Sequence, residues 1–192
     1  MESNNPWKKY YKDTEGRPPR KELIEALEFL QNRDSALDLG AGAMQDSVYL
    51  LSQGFKEVIA VDSSPSSKEL APVNERLQVV TGTFEEFTFP KAKFDLVSAQ
   101  FSLPFTHPQD FTRVFNSIKN SLADGGIFVG NVFGDRDEWN ENPDMTFLDS
   151  EALADLLTDL EVIKLDEEER DGKTASGQDK HWHIINLILR KK

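Results

Sequence analysis

The sequence lacks cysteine altogether, and this absence excludes several kinds of site. Without thiols the chain can form no disulfide framework, no thiolate zinc centre and no cysteine nucleophile. Two of the three histidines, His181 and His183, are spaced i and i+2 on one face of a predicted strand. A metal site needs more ligands than this pair supplies, so we predict no metal.

Positive charge is also scarce. The 192 residues include 22 Lys and Arg against 34 Asp and Glu, which gives a formal net charge of -12. The only basic cluster is the tail of residues 190–192, whereas contacts to a nucleic-acid backbone require clustered cations. We therefore expect no nucleic-acid partner.

Long apolar runs are missing as well. No run approaches the roughly 20 residues that span a bilayer. Residues 1–6 lack a charged region followed by an apolar one, the pattern typical of an export signal. We expect no membrane association and a cytoplasmic location.

What the chain does have is a regular alternation of strand and helix patterns. Buried strands are predicted at Ser35–Leu39, Glu57–Asp62, Leu77–Thr81, 94–100 and 127–133. Helices are predicted from Pro18 and Pro19, over 46–53 before Gly54, along the apolar stripe from 111 to 122, and after Asp149 or Ser150. Strands that alternate with helices indicate a mostly parallel sheet with helices on both faces.

The pattern changes at the C-terminal end. Two strands, 160–165 and 181–189, are separated by a polar segment containing Asp171 and Gly172, with no helical pattern between them. They can therefore pair antiparallel. We interpret the acidic run 166–171 as a solvated loop and predict a seven-stranded α/β sheet with a reversed last strand. The length favours one domain, 1–192, with a segment 1–34 before a core 35–192.

A glycine turn follows the first predicted strand directly. Gly40, Ala41 and Gly42 lie between that strand and a helix, where glycines let backbone N–H groups approach a ligand closely. Asp62 ends the next strand and could accept hydrogen bonds from ribose hydroxyls of a dinucleotide or an adenosyl cofactor. The pattern predicts a nucleotide-like ligand.

Two residues help to decide between a dinucleotide and an adenosyl cofactor. A dinucleotide fingerprint would have a third glycine where Gln45 stands. Asp38, two residues before the turn, would repel a pyrophosphate and suits an ammonium group. The sequence therefore favours S-adenosylmethionine. A non-catalytic adenosyl-nucleotide or dinucleotide-binding regulatory module remains the alternative, and a dehydrogenase is a weaker one.

Residues 37–42 resemble the first motif of the class I S-adenosylmethionine-dependent methyltransferases, which have a Rossmann-like fold, and residues 58–65 resemble their second-strand motif. Residues 46–50 and 122–126 are similar to the small TehB-like, tellurite-resistance type and to uncharacterised methyltransferase-domain proteins. The resemblance implies a methyltransferase whose segment 1–34 covers the cofactor.

The resemblance also implies roles for individual residues. Gly40 and Gly42 would approach the methionine part, and Asp62 would bind the ribose. The remaining expected cofactor contacts are the turn residue Ala41, Ser63 beside Asp62, Thr83 and Phe84 near the adenine, Gln100 near the sulfonium, and Tyr11 and Arg20 of the covering segment.

The acceptor should lie beyond the carboxyl ends of the strands, as in other open α/β sheets. Phe101 follows the fourth strand, Trp139 lies in the loop after the fifth, and His181 starts the reversed strand. We predict that these three contact a small-molecule acceptor: a thiol, a selenium or tellurium oxyanion, or a small O or N nucleophile. His181 and Asp137 are the candidate bases if one is used, whereas His183 is expected in the core.

Overall fold

The computed structural model describes Trp7, Tyr10, Tyr11, Thr14 and residues 16–192. Its helices are α1 (Lys21–Ala26), α2 (Gln45–Ser52), α3 (Pro65–Glu69), α4 (Pro108–Ser121) and α5 (Ser150–Leu156). The strands are β1 (Ser35–Leu39), β2 (Glu57–Asp62), β3 (Leu77–Thr81), β4 (Phe94–Ala99), β5 (Leu122–Gly134), β6 (Phe147–Leu148), β7 (Leu160–Lys173) and β8 (Asp179–Lys191). Short 3₁₀ turns lie at Leu27–Phe29, Leu103–Phe105 and Glu138–Glu141.

The sheet confirms the predicted class. Its main path runs β3-β2-β1-β4-β5-β8-β7, and the two-residue β6 pairs with β5 outside this path. Strands β1 to β5 pair in parallel with one another, whereas β8 is antiparallel to both β5 and β7. The main path is the predicted seven-stranded Rossmann-like sheet with one reversed strand, and β6 adds a short eighth strand.

Apolar side chains cover both faces of the sheet. On one face, Leu23 of α1 and Leu50 of α2 pack with Leu96 of β4. On the other, Phe115 of α4 packs with Leu37 of β1. Successive strand residues point to opposite faces, so each central strand feeds both layers.

Local sequence explains one helix start and one helix end. Asp149 caps α5, because its carboxylate accepts a hydrogen bond from the Ala152 N–H, as predicted. The first helix begins at Lys21, slightly after the two prolines. Gly54 ends the α2 region with φ of +91°, a conformation that glycine adopts readily.

The acidic segment was predicted wrongly as a loop. Residues 166–171 belong to β7, and every residue from Glu167 to Lys173 pairs with β8. β7 is an edge strand, so charged side chains there keep its exposed edge in water. A polar composition alone does not distinguish such a strand from a loop. Within the described part of the chain, the helices are too short or too polar to cross a bilayer.

Candidate functional site

A cavity of about 630 Å³ lies at the carboxyl ends of the parallel strands. This is the edge at which open α/β sheets bind ligands, and the volume is within the range of small-molecule sites. Its walls come from the glycine turn, the residues after β2 to β5, the N-terminal segment and the β7–β8 hairpin. One space thus adjoins both the predicted cofactor side and the predicted acceptor side.

The glycine turn forms one wall and requires its glycines. Gly40 has φ of +77°, and a Cβ there would lie 2.3 Å from the Ser102 Cβ. Gly42 has φ of +53° and lies against the ring of Tyr11. Both backbones are therefore in a conformation that favours glycine, and at Gly40 a Cβ would also clash.

Asp62 lies beside this turn, at the end of β2, and it is almost fully buried. Its Oδ1 accepts hydrogen bonds from the Tyr11 hydroxyl (2.7 Å) and the Ser64 N–H (2.9 Å), and its Oδ2 accepts one from the Gly42 N–H (2.8 Å). Burial, and then the hydrogen bond to Asp62, raise the pKa of Tyr11. The tyrosine therefore stays neutral and joins the N-terminal segment to the site.

Asp38 does not take the position that the sequence predicted for it. Its carboxylate lies in the interior, outside the cavity wall, where the Ser47 hydroxyl donates a hydrogen bond to it at 2.5 Å. Burial, and then the nearby charge of Asp46, raise its pKa to about 7. Asp38 supports the turn from behind and does not face a ligand ammonium. Ala41 is also buried outside the wall.

The other expected cofactor contacts do line the cavity. Ser63, Thr83 and Phe84 form its wall beyond Asp62. Arg20 lines it from the N-terminal side, with its guanidinium carbon 4.6 Å from the centroid of the Phe101 ring.

Gln100 contributes an unsatisfied amide to the wall. Its side chain is 9% exposed, and neither amide atom has a hydrogen-bond partner among the described residues. A buried polar group in this state costs free energy unless a ligand or water pairs with it. The orphaned amide therefore indicates that something polar binds beside β4.

Phe101, next along the chain, has a strained backbone. Its φ is +52°, in the left-handed region that bulky residues rarely adopt. Its N–H donates a 2.8 Å hydrogen bond to Oδ1 of Asn131, a fully buried side chain on β5. Such strain persists only where the surroundings enforce it, and it is concentrated at functional sites.

The cavity half beyond Phe101 is aromatic. We call Phe101, Phe105, Phe133, Trp139 and Trp182 the aromatic box; all five line the cavity. The Trp182 ring centroid lies 5.6 Å from that of Trp139, 5.7 Å from that of Phe133 and 6.3 Å from that of Phe101. Edge-on and tilted pairs at these distances stabilise one another.

A buried ion pair supports the box from behind. Lys180 Nζ pairs with the Asp137 carboxylate, and both side chains are essentially inaccessible. The ammonium lies 3.8 Å from the Trp182 centroid and 4.4 Å from that of Trp139. Desolvation lowers the pKa of Lys180.

Asp137 is consequently corrected as a base candidate. Its carboxylate also accepts hydrogen bonds from the N–H groups of Trp139 and His183. It is absent from the cavity wall. Asp137 therefore holds Trp139 in place and has no access to an acceptor.

The structure also argues against His181, the other candidate base. Its ring contacts Asp171 (2.8 Å) and Glu169 (3.2 Å), and these carboxylates raise its pKa. His181 is outside the cavity wall, whereas Trp182, on the opposite face of β8, lines it. The cavity opens on the α1 side of β8. The predicted end of this strand therefore does reach the cavity, but through Trp182 and not through His181. His183 is buried, in line with the core position expected for it.

Several lining residues were missed from sequence. Residues 173–176 at the tip of the β7–β8 hairpin reach the wall, as do Trp7 and Phe105. The aromatic Trp182 was an available signal, but it was read only as the opposite face of a histidine strand. Among the described residues, no group of three or more His, Cys, Asp or Glu could hold a metal.

Comparisons with known proteins agree with this architecture. Residues 37–130 match the methyltransferase domain family. No curated protein matches the chain in sequence.

Solved structures with the same fold include TehB from Haemophilus influenzae, with a TM-score of 0.75 and 17% identity over 90% of this chain. The match spans only 62% of the TehB chain. The Burkholderia thailandensis 1,6-didemethyltoxoflavin-N1-methyltransferase, solved with its acceptor and S-adenosylhomocysteine, gives a TM-score of 0.64 and 23% identity over 90% of this chain and 79% of that one.

A putative methyltransferase from Haloferax volcanii, in complex with the Trm112 activator, gives a TM-score of 0.72 and 20% identity over 96% of this chain and 94% of that one. All three structures share the fold described above, and the match to the methyltransferase domain family indicates methyl transfer as the chemistry.

Proposed function

The chain is a class I S-adenosylmethionine-dependent methyltransferase, and we propose that it methylates a small molecule bound in the aromatic half of the cavity. The observation that carries the proposal is the continuity of one cavity from the glycine turn and Asp62 to the aromatic box. The Burkholderia thailandensis neighbour, whose structure contains both 1,6-didemethyltoxoflavin and S-adenosylhomocysteine, supports a small-molecule acceptor here.

The residues present fit the cofactor. Gly40 and Gly42 line the cavity without side chains, and among the described residues Asp62 Oδ2 accepts a hydrogen bond only from the Gly42 N–H, so it retains capacity for a ligand hydroxyl. Gln100 offers an amide without a partner among the described residues. We propose that the cofactor contacts are Tyr11, Arg20, Gly40, Gly42, Asp62, Ser63, Thr83, Phe84 and Gln100.

Bound S-adenosylmethionine supplies a methyl group on a positively charged sulfur, which keeps the electron pair of the broken carbon–sulfur bond while the acceptor's lone pair forms the new bond. The chain's own residues then have to align the acceptor and exclude water. Trp139 and Phe101 are placed for this role beside the acceptor space. We further propose that residues 1–192 act as one domain, since Trp7 and Tyr11 share the cavity with the sheet.

The cavity favours an acceptor that needs no protein base. Among the described residues, the carboxylates in its wall are Asp62 and Glu85, on the cofactor side, and none of these residues contributes a histidine to the wall. A nucleophile that ionises by itself, such as a thiol with a pKa near 8.5, loses its proton to solvent before transfer. A weakly acidic hydroxyl would react poorly in such a site.

A screen with labelled S-adenosylmethionine tests this function, using thiols, phenols, small amines, selenite and tellurite. We expect transfer whose pH dependence follows the pKa of the acceptor itself. A pH profile that stays the same for acceptors of different pKa would indicate a protein base and contradict the proposal.

Cofactor binding is measured separately by calorimetry with S-adenosylhomocysteine and NAD. We expect only the first to bind, because Gln45 occupies the position of the third glycine. Tight S-adenosylhomocysteine binding without turnover of any acceptor would favour the non-catalytic alternative.

A further inference from the structure

We infer that the acceptor is a planar heteroaromatic ring that binds against the aromatic box. This inference rests on the proposed function and names the substrate class of the same site. Its basis is the combination of five aromatic walls and a buried N–H that has no partner among the described residues.

The walls match a flat ring. Phe101, Phe133, Trp139 and Trp182 lie at mutual angles of 58° to 89° in the contacts between them, so the box presents both faces and edges. A ring that binds against these walls can therefore form stacked and edge-to-face contacts, which stabilise aromatic pairs beyond the burial of area alone. A saturated ring of similar size obtains only the burial.

The strain at Phe101 supports the same conclusion. Its left-handed backbone is maintained by the buried Asn131 amide, and the Arg20 guanidinium lies over its ring. Glycine would adopt this left-handed backbone with less strain. The fold instead holds an aromatic ring beside the acceptor space.

Lys180 lies 3.8 to 5.2 Å from the ring centroids of Trp182, Trp139 and Phe133, and its charge is balanced by Asp137. This buried ion pair supports the aromatic walls, so the choice of acceptor depends on the rings and on the polar atoms beside them.

An unpaired N–H of the protein indicates that the acceptor ring carries a heteroatom. Trp182 Nε1 is buried and has no hydrogen-bond partner within residues 16–192 or the four described residues before them. Trp182 lines the cavity, so a ligand atom that accepts a hydrogen bond can satisfy this buried donor. A ring nitrogen or ring carbonyl provides that atom in the plane of an aromatic acceptor.

Three thiols of similar size test the inference: 2-mercaptopyridine, thiophenol and cyclohexanethiol. Their binding to the protein saturated with S-adenosylhomocysteine is measured by calorimetry, and methyl transfer is measured with labelled S-adenosylmethionine. We expect 2-mercaptopyridine to bind about tenfold or more tighter than cyclohexanethiol, with thiophenol between them. Binding of cyclohexanethiol as tight as that of both aromatic thiols would overturn the inference.

Variants assign the two components of the preference. Trp182→Phe keeps the ring but removes the N–H, so it should reduce the advantage of 2-mercaptopyridine over thiophenol to nearly one. Phe101→Leu should reduce the advantage of thiophenol over cyclohexanethiol by about two- to tenfold. His181→Gln, on the opposite face of β8, is the matched control and should change neither ratio.

The outcomes separate this inference from the function on which it rests. A ring preference that Trp182→Phe leaves intact would overturn the assigned donor. Methyl transfer without any ring preference would overturn the substrate class and leave the methyltransferase function standing. Selective ring binding without transfer to any acceptor would uphold the site and contradict the proposed function.

Discussion

The substitution Asp62→Ala tests the cofactor side most directly. Asp62 is nearly buried at the end of β2, and we propose that it accepts hydrogen bonds from ribose hydroxyls. Loss of a charged acceptor of this kind costs roughly 1 to 3 kcal/mol of binding free energy. That range corresponds to a roughly 5- to 150-fold rise in the Kd for S-adenosylhomocysteine.

The same substitution also affects the folded state. Asp62 accepts hydrogen bonds from Tyr11, Gly42 and Ser64, so three donors lose their acceptor. The Tm of the variant must therefore be measured beside its Kd. A lower affinity is attributed to the site only at temperatures where the variant remains fully folded.

Asp95→Ala provides a matched control. The Asp95 carboxylate accepts hydrogen bonds from the N–H groups of Asp34 and Ser35, at the opposite end of the parallel strands. Its removal should lower the Tm yet leave the calorimetric Kd unchanged. An unchanged Kd in folded Asp62→Ala protein would remove Asp62 from the cofactor site and refute the reasoning.

Four other substitutions have defined outcomes. Trp139→Ala should lower methyl transfer while keeping the Kd for S-adenosylhomocysteine within about threefold, under roughly 0.7 kcal/mol; a comparable loss of cofactor affinity would place Trp139 on the donor side. Gly40→Ala should lower both Tm and cofactor affinity, because its Cβ would meet Ser102, and normal values would contradict the close approach. Because burial raises the folded-state pKa of Asp38 to about 7, above its unfolded value, wild-type stability should fall as pH rises from about 4 to 7, and Asp38→Asn should flatten this slope of Tm against pH. The pKa of His181 is also raised, so any Tm advantage over His181→Gln should be present below about pH 6.5 and be lost as pH rises through the folded-state pKa; an advantage that grows with pH would contradict its pairing with Asp171 and Glu169.

The sequence by itself determined the strand, the glycine turn and the helix that form one wall of the cavity. The strand, glycine turn and helix at residues 35–52 are local features, since the positive φ at Gly40 and Gly42 is a property of those residues. Parallel strands place their carboxyl ends together, so Asp62 and Gln100 could be assigned to the same edge before any packing was known. Residue type and strand order were sufficient for these predictions.

Only the tertiary structure decided which acids face the cavity. Asp38 and Asp62 both lie at the ends of neighbouring strands, yet Asp38 is enclosed with Ser47 while Asp62 lines the cavity. The difference depends on which face each side chain takes and on what covers it. Composition and spacing do not show which residues will enclose a given acidic side chain.

The acceptor half depended on packing even more strongly. Successive residues of β8 point to opposite faces, so the side on which the cavity opens selects Trp182 and excludes His181. The long pairing of β7 with β8 brings the hairpin tip to the cavity, although the acidic composition of β7 resembles a loop. Contacts between residues far apart in the chain fix both features, and local residue patterns do not encode them.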